Sequence, residues 1–182
     1  VIGLQKKLTV IQKEHTRVLE RTNHHFKEIF NSSTDLIQIF KPKGEIIFVN
    51  DAWQSKLGYG DDDHQEIKFL DAIHPDYQRI TLEKLLKITA GVKSEKIDTV
   101  LISKYGKKIF VKGTLTCVFE DESPVEYHCI FYDITERVRA EQAQSLYYKI
   151  ASLTIQSTEI EDFYNQVFQE ISNFLKVKNL AI

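Results

Sequence analysis

The spacing of apolar residues changes twice along this chain, and that limits the folds open to it. Val1, Leu4, Leu8, Ile11, His15, Val18, Thr22, His25 and Ile29 stand alternately three and four apart. That is the a/d seam of a coiled coil, held for about four heptads. An amphipathic helix lying on its own domain would carry the same stripe. Lys6, Lys7, Lys13, Glu14, Arg17, Glu20 and Arg21 keep the other faces wet under either reading. His15, Thr22 and His25 make the seam polar, which costs stability and can set register or oligomer state. From Asp35 the period becomes two, and after Asp133 it is helical again.

The middle of the chain resolves into short elements. Asp35 to Phe40 reads as a strand, Lys41-Pro42-Lys43-Gly44 as a tight turn and Glu45 to Val49 as its partner. Pro presets φ and Gly accepts positive φ, which suits a reverse turn. Asn50 to Leu57 predicts a short helix stopped by Gly58 and Gly60, and Ile67 to Ile73 a brief mixed segment ending at His74-Pro75. Tyr77 to Ala90 predicts a longer helix with Gly91 just past its end. Three strands follow near Lys96 to Ser103, Lys108 to Phe119 and Val125 to Tyr132, with turns at Tyr105-Gly106 and Asp121-Glu122-Ser123-Pro124. No β-α-β alternation follows the middle helices, so the sheet should be antiparallel with helices on one side. Beyond it, Ile160, Phe163, Val167, Phe168, Ile171 and Leu175 mark another amphipathic helix, and Val177 to Ile182 is expected to open a strand.

With 182 residues, 42% hydrophobic and 27% charged, the chain has the make-up of a folded domain with attached segments. A formal net charge of -2 gives no electrostatic case for nucleic acid or anionic lipid. No apolar run approaches the roughly 20 residues that span a bilayer, and Gln5-Lys6-Lys7 interrupts any signal peptide. Two cysteines, Cys117 and Cys129, form no C-x-x-C pattern, so a reduced, cytoplasmic setting is expected. The chain lacks methionine and begins with Val, which points to a fragment excised from a longer protein.

Phe26 to Arg137 resembles a PAS domain along its whole length. The residues that carry this are the turn Pro42-Lys43-Gly44, the helix start Asn50-x-Ala52 and the helix end Leu57-Gly58-Tyr59. His74-Pro75-Asp76, Lys104-Tyr105-Gly106-Lys107 and Asp133-Ile134-Thr135-Glu136-Arg137 follow in the family's order. The tail from Leu153 resembles the first helix and strand of a GAF domain. The implied fold is α+β: a five-stranded antiparallel sheet with helices on one face, flanked by long N- and C-terminal helices. The implied organisation is a coiled-coil or linker helix over 1–30, the PAS domain over 31–134, a signalling-helix linker over 135–152 and the start of a GAF-like domain over 153–182.

The resemblance places a ligand between sheet and long helix. Ile37, Ile39, Trp53, Ile80, Leu85, Leu115 and Cys129 are the pocket candidates. A haem version would need a histidine from the long helix, but Tyr77 to Gly91 holds none and Ile80 stands at the matching position. A covalent-flavin version would need a cysteine where the chain reads Asp61-Asp62-Asp63-His64-Gln65. Neither cofactor is expected, and the ligand is left unknown. Trp53 would pack on the sheet edge or touch that ligand.

Cys117 and Cys129 would lie opposite each other in a hairpin centred on Ser123, as core neighbours or as a redox pair. His24-His25 reads as helix seam, since adjacent helical residues diverge. Asp61-Asp62-Asp63 lacks the alternate spacing of an EF-hand loop. No catalytic or metal motif occurs.

Asp133, Ile134, Thr135 and Glu136 are the expected transmission residues: Asp133 can cap a helix, and Glu136 stands three further on as in a capping box. The function so implied is a sensory relay module without catalysis, in a parent such as a two-component sensor histidine kinase. It would dimerise through the N-terminal and exit helices and act on downstream domains of the same chain. The alternative is a ligand-free dimerisation scaffold, for example in a cyclic-dinucleotide enzyme or a transcription regulator.

Overall fold

The computed structural model of the chain describes residues 2–60, 63–156 and 160–179, with side chains described for 11–60, 63, 66–153 and 160–174. Val1, the side chains of Leu4, Leu8, His64, Gln65 and Leu175, the pair Asp61-Asp62 and the last three residues of the expected strand lie outside the described residues.

Helix α1 spans Ile2–Ser32. Its described seam residues Ile11, Val18 and Ile29 are 61–69% exposed, so the stripe is not laid on the chain's own domain. The last turn of α1 meets the sheet: Phe30 packs edge-on to Phe48 with ring centroids 5.5 Å apart. Strand β1 (Leu36–Phe40) turns at Gly44, φ +86°, into β2 (Ile46–Val49). Asn50 caps α2 (Asp51–Leu57), and Gly58, φ +78°, ends it in the left-handed conformation. Two 3₁₀ turns, Asp63–Glu66 and Phe69–Ala72, lead to α3 (Pro75–Thr89). Pro75 suits a first helical position because it has no N–H to lose, and the His74 ring accepts from the Asp76 amide at 3.3 Å.

Strands β3 (Glu95–Ile102), β4 (Lys108–Glu120) and β5 (Ser123–Asp133) complete an antiparallel sheet of order β2-β1-β5-β4-β3. The element order and antiparallel sheet expected from the sequence are therefore present. Helix α4 (Thr135–Gln156) follows directly, and α5 (Ile160–Asn179) folds back on it, with Lys149 and Glu170 paired at 3.2 Å. Because α5 runs to Asn179, the chain at 177–179 is helical where a strand was expected.

One face of the sheet holds the core. Leu36 and Phe40 of β1, Leu115 of β4, and Cys129 and Phe131 of β5 pack there against Trp53, Leu57, Phe69 and Ile88. Phe40 stacks on Phe69 at 4.1 Å and on Tyr127 at 5.2 Å.

The β4–β5 hairpin is tighter than the sequence predicts. Glu120 pairs with Ser123, so the turn is Asp121-Glu122 alone, with φ of 45° and 63°. Both positive values define a type I′ turn, for which Asn-Gly is the favoured pair. A non-glycine residue there costs about 1–2 kcal/mol. Asp121→Asn combined with Glu122→Gly is expected to raise stability by about 1 kcal/mol and Tm by about 4–8 °C. An unchanged or lower melting temperature in calorimetry would contradict the turn assignment.

Candidate functional site

The exit from the sheet is built from local hydrogen bonds. The Ile134 amide donates to the Phe110 carbonyl (2.9 Å), and the Phe110 amide donates to the Thr135 hydroxyl (3.0 Å). The chain thus stays paired to β4 until the residue that starts α4, and Thr135 is buried there. The Val138 amide closes the first helical turn onto the Ile134 carbonyl (2.9 Å), which makes Ile134 the cap residue. Asp133 lies one place earlier: its Oδ1 accepts the Thr135 amide (2.8 Å), and its Oδ2 meets Lys56 Nζ of α2 at 2.5 Å. Glu136 does not complete a capping box; it pairs instead with Arg139 at 3.2 Å on the exposed side.

Burial pushes the Asp133 carboxyl up, but the hydrogen bonds from Lys56 and Thr135 outweigh it and hold it below its ordinary value. A lowered folded-state carboxyl contributes stability above its unfolded value, near about 3.9, and loses it as pH falls through the folded value. The first turn of α4 is therefore expected to stay protected from hydrogen exchange at pH 7 and 5 and to fray only below about pH 4. A carboxyl NMR titration of Asp133 with its midpoint above an ordinary aspartate would overturn this.

The pocket candidates do not share one surface. Trp53, Leu115 and Cys129 lie in the core, and Leu85 packs partly against it. Ile37 and Ile39 are on the opposite face of β1, because Leu36 and Phe40 take the inner one. Ile39 pairs with Phe48, the residue that Phe30 covers. Ile80 is 45% exposed and lines an open outer cleft with Lys84, Lys96 and Tyr132. The inner stripe of α3 is Thr81, Leu85 and Ile88, spaced by four and three, and Ile80 is one residue off it.

Gln38, between Ile37 and Ile39, is the inner residue that sequence reasoning missed. It is fully buried, with neither Nε2 nor Oε1 in a hydrogen bond of regular geometry. Its amide lies against Cys129, its cross-strand partner. A polar residue in a strand apolar on both sides normally marks the wet face, so the only signal pointing inward was the strand's register. The Trp53 indole N–H and the hydroxyls of Thr81 and Thr99 are likewise buried without partners.

The cysteines are not directly opposite. The turn closes at Asp121-Glu122, and with a one-residue bulge between Val118 and Phe119 the register sets Cys117 against Tyr127 and Leu115 against Cys129. The two are diagonal neighbours, roughly 7–8 Å apart, beyond the separation a disulfide bridges without backbone movement. Burial pushes both thiols up, Cys129 far more than Cys117. Little thiolate is then present to react. Among the described residues no group of three or more His, Cys, Asp or Glu side chains is placed to hold a metal, and no helix is long and apolar enough to cross a membrane.

Comparison with known proteins agrees with this architecture. A family model described as PAS domain matches residues 36–136. The PAS domain of a protein from Colwellia psychrerythraea superposes with a TM-score of 0.57 at 16% identity, covering 65% of this chain and 98% of that one. The PAS domain of an HTR-like protein from Haloarcula marismortui gives 0.54 at 19%, covering 67% and 99%. A sensory box histidine kinase/response regulator from Burkholderia thailandensis gives 0.53 at 16%, covering 68% and 95%. At these identities the structures speak for the fold alone. No curated protein matches the chain. A family match over more than half of the residues, on a sheet of this order, makes the chain a member of the PAS domain family.

Proposed function

We propose that the chain is a sensory and signal-relay module without catalysis of its own, in the cytoplasmic part of a signalling protein, with a two-component sensor histidine kinase as the parent. The observation that carries this is the exit: the last core strand passes into a 22-residue helix with no loop between them, and Asp133 and Thr135 fix the point of departure. A cue that repacks the core would shift the population of helix positions at that point. A sensory-box kinase among the structural neighbours supports the choice of parent. In this reading the segment from 153 opens a GAF-like domain. The test is Asp133→Ala in the full-length parent. It should cost about 1 kcal/mol of stability through the lost hydrogen bond to the Thr135 amide, leave ligand binding and dimerisation nearly intact, and change basal or cue-dependent output. Normal output would sink the relay reading.

The uncovered α1 stripe favours a parallel homodimer through α1, continued by α4. Ile11, Val18 and Ile29 have little else to bury against. Ile11→Asp with Val18→Asp is expected to give monomers in light scattering; a wild type already monomeric at high concentration would refute the pairing.

Whether the module senses a small molecule or only passes on motion from α1 divides two readings. The ring stack Phe40–Phe69–Tyr127 favours a filled, ligand-free scaffold. The unpartnered Gln38 amide beside Cys129 favours a polar occupant. Mass spectrometry of the natively purified chain decides between them.

A further inference from the structure

We propose that α2 is a strut that couples the end of α1 to the start of α4, so that motion can pass between the flanking helices without a change in the core. The proposal rests on the relay reading above and adds a route to it.

At the first end of α2, Asn50 is fully buried and uses its whole side-chain amide. Nδ2 donates to the Phe30 carbonyl in the last turn of α1 (3.0 Å) and to the Asp35 carbonyl (2.9 Å). Oδ1 accepts the Ile37 amide (3.0 Å) and the Trp53 amide (3.1 Å). One side chain therefore joins the end of α1, the start of β1 and the first turn of α2. An amide has two donor and two acceptor sites of this kind, and all are taken.

At the other end, Lys56 in the last turn of α2 meets Asp133, whose second oxygen holds the Thr135 amide that opens α4. Five helical residues, Asp51 to Ser55, lie between the two joints, a span of about 9 Å. Trp53 and Leu57 anchor the inner side of α2 in the core, so the helix can rock about that line but cannot leave it. A cleft of ≈ 470 Å³ opens between the α1–β1 turn and α2, lined by Asn31, Ser33, Asp51, Ser55 and Lys56. Packing is thin there, and the Asn50 amide carries the joint. A rigid element with a directional bond at each end transmits displacement in both directions, and coupling between two sites is reciprocal. Lys56 is in this sense a positioning residue: it sets where α4 starts through Asp133 and is itself set by how α2 sits under α1.

The test is hydrogen exchange on the whole chain with Lys56→Met, reading segments 28–34, 133–140 and, as reference, the core strand 109–115. Exchange is expected to rise about fivefold at both 133–140 and 28–34, with the core strand unchanged, and Lys56→Arg should keep wild-type rates at both. Faster exchange at 133–140 alone would reduce Lys56 to a local clamp and overturn the proposal, as would no change at either. If all three segments speed up together, the comparison passes to Asp133→Asn, which keeps the Thr135 hydrogen bond; uniform acceleration there too overturns it. The exchange data judge the joint in the chain itself, whereas the output of Asp133→Ala in the parent judges the relay, so either can fail alone.

Discussion

Gly113→Ala is expected to destabilise the domain by at least about 3 kcal/mol and to lower Tm by more than about 12 °C. Gly113 is in the middle of β4, paired with Ile97 on one side and Phe131 on the other. A Cβ there would stand 2.1 Å from the Ile130 carbonyl oxygen and 2.7 Å from Cδ1 of Phe131. The first of these is backbone in the central ladder and has no rotamer to escape into. Either β4 and β5 separate or the Phe131 ring leaves the core, and both break the fully buried centre of the sheet. With a total stability of about 5–15 kcal/mol for a domain of this kind, one methyl group removes a large part of it. Gly60→Ala is the control: among the described residues its Cβ would meet nothing closer than Asp63 Oδ2 at 3.6 Å, and its stability should stay within about 0.5 kcal/mol. A Gly113→Ala melting curve that overlays the wild type would mean that the two strands are free to splay.

Asn50→Asp is expected to cost about 3–5 kcal/mol near neutral pH although the two side chains have the same shape. A carboxylate still accepts from the Ile37 and Trp53 amides, but its second oxygen would face the Phe30 and Asp35 carbonyls, which now receive a donor. Two carbonyls lose their partner and a charge is buried against them. The loss should be larger at pH 7 than at pH 5. A buried carboxyl facing carbonyl oxygens has a raised folded-state value, so its penalty is small while protonated and grows as pH rises above the unfolded value. A penalty equal at both pH values, or below about 1 kcal/mol, would mean that Asn50 acts only as a helix cap.

Much of this was legible in the chain. The turn at Gly44, the helix start at Asn50, the stop at Gly58 and the helix start after Asp133 each follow from the chemistry of one or two residues acting on their near neighbours, whereas α3 starts at Pro75, two residues before the Tyr77 that the sequence predicts. The order of elements and the antiparallel sheet followed from them. The candidate site was less legible. Trp53, Leu115 and Cys129 lie in the core, whereas Ile37, Ile39 and Ile80 face away from it and Gln38 takes the inner place. Strand β1 is apolar at Ile37 and Ile39 as well as at Leu36 and Phe40, so alternation gave no contrast with which to choose a face.

The sequence by itself determined the local geometry, because φ preferences, caps and turn residues act within a few positions. Only the tertiary structure decided the rest. Phe30, returning from α1 onto Phe48, covers the outer side of the first hairpin and lets apolar side chains face both ways there. The β4–β5 turn closed at Asp121-Glu122 and not around Ser123, which put Cys117 out of line with Cys129. Asn50 reached back to Phe30, and Lys56 met Asp133 across most of the domain's sequence. These contacts depend on how the sheet orders its strands, and no local pattern encodes the partner of a side chain so far along the chain.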